Sequence, residues 1–259
     1  MNTTLSKINN HFSERSSLYN DINSWVYNKE IIEAIIRLAK NNYYSDAVIK
    51  YADMGSGTCI VSDELEKRID TAGQIFAVDI NSKMLEQCVN DHIIKINSSI
   101  EMLPFLDCYF HVIISRQCLH YIVNVEQALK EIRRVLIPNG KFILAQIIPY
   151  DSNTRNYWSE IIKVRQPLRQ HYFDELMWEN QIIQQGFSLE TSQRFVTRSS
   201  LADWVKKYKI VDNTQFDKMK FLLENASREY KSKYHVDFTE NDIIYDSNWF
   251  VKSFSVNQL

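Results

Sequence analysis

Glycine and proline are scarce in this chain, five and four in 259 residues. No long flexible linker is expected, and most of the length must go into packed elements and short turns. The four cysteines, Cys59, Cys88, Cys108 and Cys118, form no Cys-x-x-Cys pair, so the usual zinc and dithiol spacings are excluded. Reduced thiols in a cytoplasmic protein are the expectation. Neither sign of charge is in surplus: 30 Lys and Arg stand against 32 Asp and Glu, a formal net charge of −2. That balance argues against nucleic acid as a partner, which would leave a basic stripe. No apolar run approaches the roughly 18 residues of a membrane span. The opening MNTTLSKINN is polar, without the apolar core of a secretory signal, and no internal repeat is visible. What remains is an ordinary globular composition, 45% hydrophobic and 24% charged, of a length that suits one large α/β domain or a core with a cap.

The chain is organised around residues 47–59, AVIKYADMGSGTC. Val48 to Ala52 reads as a strand inside a sheet, and Asp53 falls at its carboxyl end. Gly55 and Gly57 permit a tight turn and a close approach of backbone to ligand, because neither carries a Cβ. A helix from about Ile60 to Ile69 follows. Strand, glycine turn and helix make the nucleotide site of a doubly wound sheet. A dinucleotide loop wants a third small residue at position 60, where this chain has Ile. The bland reading is a surface strand-turn-helix with two glycines.

Further along, residues 1–20 read as polar and irregular, and Ile22, Trp25, Val26, Ile31, Ile32, Ile35, Ile36 and Leu38 as an amphipathic helix from Asp21 to about Lys40. Gln74 to Asp79 is a second strand ending in an acid, about 20 residues beyond the glycines. A carboxylate there can accept hydrogen bonds from ribose hydroxyls; the competing reading of Asp79 is a helix N-cap, with Asn81 and Ser82 following and a helix expected through Cys88. Ile93 to Ile96, Phe110 to Ser115 and Lys141 to Ile147 are the next strands, with a helix over Val125 to Leu136. Arg116, Gln117, Cys118, Leu119, His120 and Tyr121 follow the fourth strand, at the crevice where open α/β sheets place their chemistry. Helical patterns over Asn153 to Gln166, Tyr172 to Gly186, Ser199 to Tyr208 and Gln215 to Tyr234 bracket a sixth strand at Leu189 to Val196. Ile243-Ile244 and Trp249 to Val256 alternate as an antiparallel edge strand does.

The segment Asp53-Met54-Gly55-Ser56-Gly57-Thr58-Cys59 resembles the first motif of the class I SAM-dependent methyltransferases, acid-x-Gly-x-Gly-x-Gly, with Cys59 in the last place. Leu103-Pro104-Phe105, the small-x-x-x-Leu-His pattern closed by Leu119-His120, and Arg134-Val135-Leu136-Ile137-Pro138-Asn139-Gly140 are similar to the ubiquinone and menaquinone subgroup. The four motifs stand in the right order from about Val48 to Ile147. The resemblance implies a Rossmann-like, doubly wound, seven-stranded sheet, mostly parallel with an antiparallel last strand. It implies residues 1–40 as a helical cap on a domain of 41–259, with helical lid insertions at about 150–170 and 199–235. It also implies S-adenosylmethionine as cofactor and S-adenosylhomocysteine as product, with Asp53, Gly55, Ser56, Gly57, Asp79, Ile80, Met84, Ser99, Ile100, Arg116 and Gln117 around them. The segment from Phe12 to Tyr19 would fold over the cofactor. Ser99 stands where the family's adenine-contacting acid usually does, and Cys59 would bring a thiol near the cofactor.

Methyl transfer is an in-line displacement that needs positioning and dryness rather than a nucleophilic residue. His120 is the candidate general base and Tyr121 the second; the plain alternative is that His120 packs beneath the lid. Arg116, Arg198 and Trp158 are the candidate contacts to a small-molecule acceptor. The expected protein is therefore a methyltransferase for a small molecule, monomer or homodimer. The alternatives are a SAM-binding enzyme of other chemistry, a cyclase or lyase, and a non-catalytic scaffold of the same fold.

Overall fold

The computed structural model describes residues 3–22, 24–40, 48–69, 73–203 and 213–256. Among the described residues eight strands make one sheet: β1 (Lys50–Met54), β2 (Gln74–Asp79), β3 (Ile93–Asn97), β4 (Phe110–Arg116), β5 (Leu136–Ile148), β6 (Phe187–Ser200), β7 (Asp237–Phe238) and β8 (Ile243–Val256). Their order is β3-β2-β1-β4-β5-β8-β6, with the two-residue β7 beside β8. β1 to β5 pair in parallel, and β8 runs antiparallel between β5 and β6. The order reverses between β1 and β4, which opens a crevice at their carboxyl ends.

The helices are α1 (Thr3–Ser13), α2 (Tyr19–Ile22), α3 (Lys29–Lys40), α4 (Ile60–Glu66), α5 (Ser82–Leu85), α6 (Val125–Val135), α7 (Ser152–Arg165), α8 (Glu175–Ile183), α9 (Asn213–Asn225) and α10 (Arg228–Lys233). Each sheet face has its own core. On one, α6 and α8 bring Leu129, Ile132, Trp178 and Ile182 against Phe110, Phe142 and Phe254. On the other, α3, α4 and α5 bring Ile31, Ile35, Val61 and Leu85 against Tyr51, Ile75 and Ile143. α3 shows why: Asn28 caps it through Oδ1 to the Ile31 N–H at 3.1 Å, and its apolar residues recur at helical spacing on the buried side. A third cluster joins α7, α9 and α10 over the start of β8, with Trp158, Met219, Leu223, Tyr230 and Tyr234. No described helix is long and apolar enough to cross a membrane.

Several expectations are corrected. Residues 3–13 are helical rather than irregular. The helix expected from Asp21 begins only at Lys29, after a 3-10 turn at Ser24–Tyr27; the side chain of Trp25 lies outside the described residues. The helix after β2 ends at Leu85, short of Cys88. β8 is not an edge strand: it is buried almost throughout, and β6 takes the edge with every second residue exposed. β8 also runs unbroken through Asp246, Ser247 and Asn248. β6 extends to Ser200 where a helix was expected from Ser199, and residues 204–212, including Trp204, lie outside the described residues. The helix expected over Gln215 to Tyr234 is divided at Ser227, whose Oγ caps α10 by accepting the Tyr230 N–H at 3.1 Å.

Candidate active site

The turn after β1 is set by left-handed backbone at Gly55, Gly57 and Cys59, with φ of 72°, 54° and 66°. Gly55 has a steric reason as well. A Cβ there would lie 2.0 Å from the Cys118 Sγ and 2.4 Å from its Cβ, so the close approach is to protein. Gly55 and Ser56 donate their N–H groups to the Val78 carbonyl at 2.8 and 3.1 Å, which ties the turn to β2.

Asp79 ends β2 and lines the same crevice. Its Oδ2 accepts the Gly57 N–H and its Oδ1 the Asn81 N–H, both at 2.8 Å. The carboxylate keeps acceptor capacity for a further donor. Asp79 is not the helix cap; that is Asn81, whose Oδ1 accepts the Met84 N–H at 3.0 Å. Burial raises the Asp79 pKa against the three backbone N–H groups that lower it. Asp53, also in the lining, accepts from Ser62 Oγ at 2.9 Å. Burial pushes its pKa up to about 6, opposed by the Ser62 bond and the Arg116 charge.

The crevice holds about 860 Å³ including its open mouth, within the range of small-ligand sites. Its wall takes in Asp53, Gly55, Ser56, Gly57, Asp79, Ile80, Met84, Arg116, Gln117 and Tyr121, together with Leu5, Ile8, Asn9 and Phe12 of α1. α1 is held across it by the Asn81 Nδ2, which donates to the Asn9 carbonyl, Asn9 Oδ1 and Ser13 Oγ at 2.7, 2.8 and 2.9 Å. Sequence reading missed α1; the signal was Leu5, Ile8 and Phe12 at helical spacing in an otherwise polar stretch.

Other expected residues fall elsewhere. Ser99 accepts the Glu101 N–H at 3.2 Å and Ile100 is buried in the core; neither lines the crevice. Cys59 also turns away. It is fully buried in the core cluster, beside Cys88, and burial raises its thiol far above the ordinary range. Leu103 and Phe105 are held by α6: Glu131 accepts the Leu103 N–H at 2.8 Å, and Arg134 donates to the Phe105 carbonyl at 2.8 Å. Arg116 donates to the Val26 carbonyl at 2.9 Å and lines the crevice as a half-buried cation. Trp158 sits in the lid cluster under the Arg169 guanidinium. Arg198 pairs with Asp246 and Asp237 at the β6–β8 edge and is not part of the crevice wall.

A second, smaller recess adjoins the first through Phe12, Tyr19, Gln117 and Tyr121. His120 lines it. Its Nδ1 donates to Gln146 Oε1 at 2.8 Å, and its Nε2 is buried without a hydrogen-bond partner. Burial and the Arg169 charge hold the ring well below the usual histidine range, so it is neutral at physiological pH.

Residues 52–144 match the family model described as a methyltransferase domain. Over these residues the chain carries a methyltransferase domain. Over 102 residues it is 28% identical to the ubiquinone/menaquinone biosynthesis C-methyltransferase UbiE of Vibrio campbellii, covering 36% of this chain and 39% of that protein. Over 93 residues it is 32% identical to the mitochondrial arginine-hydroxylase NDUFAF5 of Mus musculus, covering 35% and 26%. The chain thus spans less than two thirds of the length of these curated relatives. The YcgJ protein of Bacillus subtilis superposes with a TM-score of 0.79 at 18% identity, covering 89% of this chain and 99% of that one, which shows the fold.

The cofactor of this family is S-adenosylmethionine. The crevice fits it on its own evidence: Ser56 Oγ is buried there without a hydrogen-bond partner, as is Gln117 Nε2. The Cys59 thiol lies beside Ser56 and faces the Gly57 carbonyl at 4.0 Å. Orphaned polar groups on a concave wall are what a polar ligand satisfies.

Proposed function

We propose that the chain transfers a methyl group from S-adenosylmethionine to a small-molecule acceptor. The observation that carries this reading is the Asp79 carboxylate, fixed by the Gly57 and Asn81 N–H groups and still able to accept a ribose diol at the edge of a crevice with an orphaned Ser56 hydroxyl. The bound cofactor supplies an electrophilic methyl on a sulfonium sulfur. The chain's work is to hold, align and dry. Asp79 takes the ribose hydroxyls, Gly55 to Gly57 and Ser56 the amino-acid end with Asp53, and Ile80 and Met84 the flat face of the base. α1 closes the crevice, and Phe12 and Tyr121 meet edge to face at 5.1 Å between the two recesses. Such positioning contributes about 7–11 kcal/mol to a displacement. In this reading the cap is narrower than residues 1–40: α1 and Tyr19 of α2 line the crevice, while α3 packs in the sheet core.

His120 is the proton acceptor of this reading. Nδ1 is engaged as a donor, so the lone pair is on Nε2, and the ring stays neutral. If the acceptor is a hydroxyl or a protonated amine, His120→Gln lowers kcat by about 10²–10⁴-fold and leaves S-adenosylhomocysteine affinity within twofold. Tyr121 serves as wall. Calorimetric titration with S-adenosylmethionine and S-adenosylhomocysteine tests the cofactor. Product analysis tests the chemistry: S-adenosylhomocysteine marks methyl transfer, methylthioadenosine marks a lyase or cyclase, and absence of any binding leaves only the scaffold reading.

A further inference from the structure

The recess beside His120 has a one-sided chemistry. Arg15 reaches it from just beyond α1, Arg165 and Gln166 from the end of α7, and no carboxylate among the described residues belongs to its lining. Arg15 is steadied by His11, whose Nε2 accepts from it; burial and the Arg15 charge lower the His11 pKa to about 4, so that ring stays a neutral acceptor. Arg165 is steadied by the Tyr245 hydroxyl, to which its Nη1 donates at 3.2 Å.

Behind this wall stands a third guanidinium. Arg169 is 4% exposed and bonds only to neutral oxygens: the His171 carbonyl at 2.8 Å, Gln166 Oε1 at 3.0 Å and the Ile147 carbonyl at 3.3 Å. It makes no ion pair among the described residues, and it lies over the rings of Trp158 and Tyr172. Holding Gln166 Oε1 leaves the Gln166 amide nitrogen as the group open to a ligand. A buried cation without a counter-charge is costly unless something anionic comes to it. Around the same recess, His120 Nε2 and Gln117 Nε2 are buried and without partners. Phe12, Tyr19 and Tyr121 supply flat apolar faces between it and the cofactor crevice.

We propose that this recess binds the methyl acceptor and that the acceptor is a small planar anion. Its acid group, a carboxylate or a phosphate monoester, is held by the Arg15 and Arg165 forks in the field of Arg169, with its ring against Phe12 and Tyr121. The inference rests on the methyltransferase reading above and adds the charge and shape of the substrate. An aromatic acid presented this way places a ring substituent between Tyr121 and His120, at the boundary of the two recesses.

The test uses the full chain saturated with S-adenosylhomocysteine, whose own binding is measured first by calorimetry. Failure of that binding overturns the methyltransferase reading and is seen before any acceptor probe is added. Salicylate, 4-hydroxybenzoate and phenyl phosphate are then titrated beside salicylamide, 4-hydroxybenzamide and phenol. Expected is saturable binding of at least one acid, at least tenfold tighter than its neutral counterpart; the carboxylates and the phosphate ester separate the two kinds of acid group. Arg165→Gln is expected to weaken that binding tenfold or more, Arg165→Lys less, both with S-adenosylhomocysteine affinity changed less than threefold. Equal binding of acid and amide overturns the proposal. So does absence of acid binding while S-adenosylhomocysteine binds, or an Arg165→Gln variant that binds the acid unchanged.

Discussion

The two halves of the sheet's carboxyl edge are built from different materials. Over β1, β2 and β4 the site is backbone: three left-handed residues in five, N–H groups aimed at one carboxylate, a glycine that cannot bear a methyl group. Over β5, β8 and α7 it is side chain: Tyr230 stacks on Tyr234 at 4.2 Å, Tyr150 and Tyr157 meet them edge-on at 4.8 and 5.0 Å, and Arg169 lies over Trp158. Backbone constraints admit few residue types, so they write themselves into sequence. Aromatic packing can be met by many combinations, so the lid half leaves no motif.

The sharpest break in that comparison comes from Asp79→Ala. It removes the acceptor of both the Gly57 and Asn81 N–H groups and the ribose contact with them. S-adenosylhomocysteine affinity is expected to fall about 100-fold, about 3 kcal/mol, by calorimetry. A loss under threefold would mean that the backbone half does not hold the cofactor. Gly55→Ala comes next. Its Cβ meets Cys118 and its φ is 72°, so overpacking and left-handed strain together cost about 2–4 kcal/mol in urea unfolding. Cys118→Ala leaves the Cβ clash at 2.4 Å in place; Gly55→Ala with Cys118→Gly is expected to recover part of the loss. No recovery would point to the loop's own conformation as the whole cost.

These variants also show where sequence reading stops. Gly55 was legible as a glycine that something must approach closely, but the something is Cys118, which no local pattern reveals. Asp79 and Asn81 were both visible, and geometry alone decides which accepts and which caps. β8 read as two pieces because Asp246, Ser247 and Asn248 are polar. They are buried in the strand because Arg198 and His235 take the Asp246 carboxylate and Asn248 donates to the Pro149 carbonyl at 3.3 Å. α1 read as irregular because its face is narrow and its partner, Asn81, is 72 residues away from Asn9. The fold followed from elements whose period is local; the lid did not, because its contacts are long-range and interchangeable.

A smaller effect sharpens the charge balance of the cofactor half. Asp53 has its pKa raised to about 6, first by burial. A raised carboxyl favours the protonated fold, so this stabilising contribution is present below about pH 4 and is lost as pH rises through 6. A cationic cofactor favours the carboxylate instead. Binding of S-adenosylmethionine near pH 6 is therefore expected to release part of one proton, and affinity to rise several-fold from pH 5 to 7 before levelling. Calorimetry in buffers of different ionisation enthalpy reads the proton directly. Asp53→Asn should abolish the pH dependence while making the ligand-free protein more stable above pH 6, by about 1–3 kcal/mol. A pH-independent affinity in the native chain would assign the cofactor's charge to another partner.

The smallest effect is expected at Arg198, where composition pointed to the acceptor and geometry does not. Its guanidinium spans Asp246, at 2.8 Å, and Asp237, and donates to the His235 carbonyl at 2.8 Å. This cluster holds the polar stretch of β8 inside the sheet. The side chain is 44% exposed, so the ion pairs are screened and each contributes little; the cost of Arg198→Gln lies in leaving the buried Asp246 with His235 and Tyr150 alone, about 1 kcal/mol in urea unfolding. S-adenosylhomocysteine affinity and acid binding in the recess should stay within twofold. A tenfold loss of acid binding in Arg198→Gln, with Arg165→Gln silent, would move the acceptor site from the α7 wall to the β6–β8 edge and reverse the assignment of the two halves.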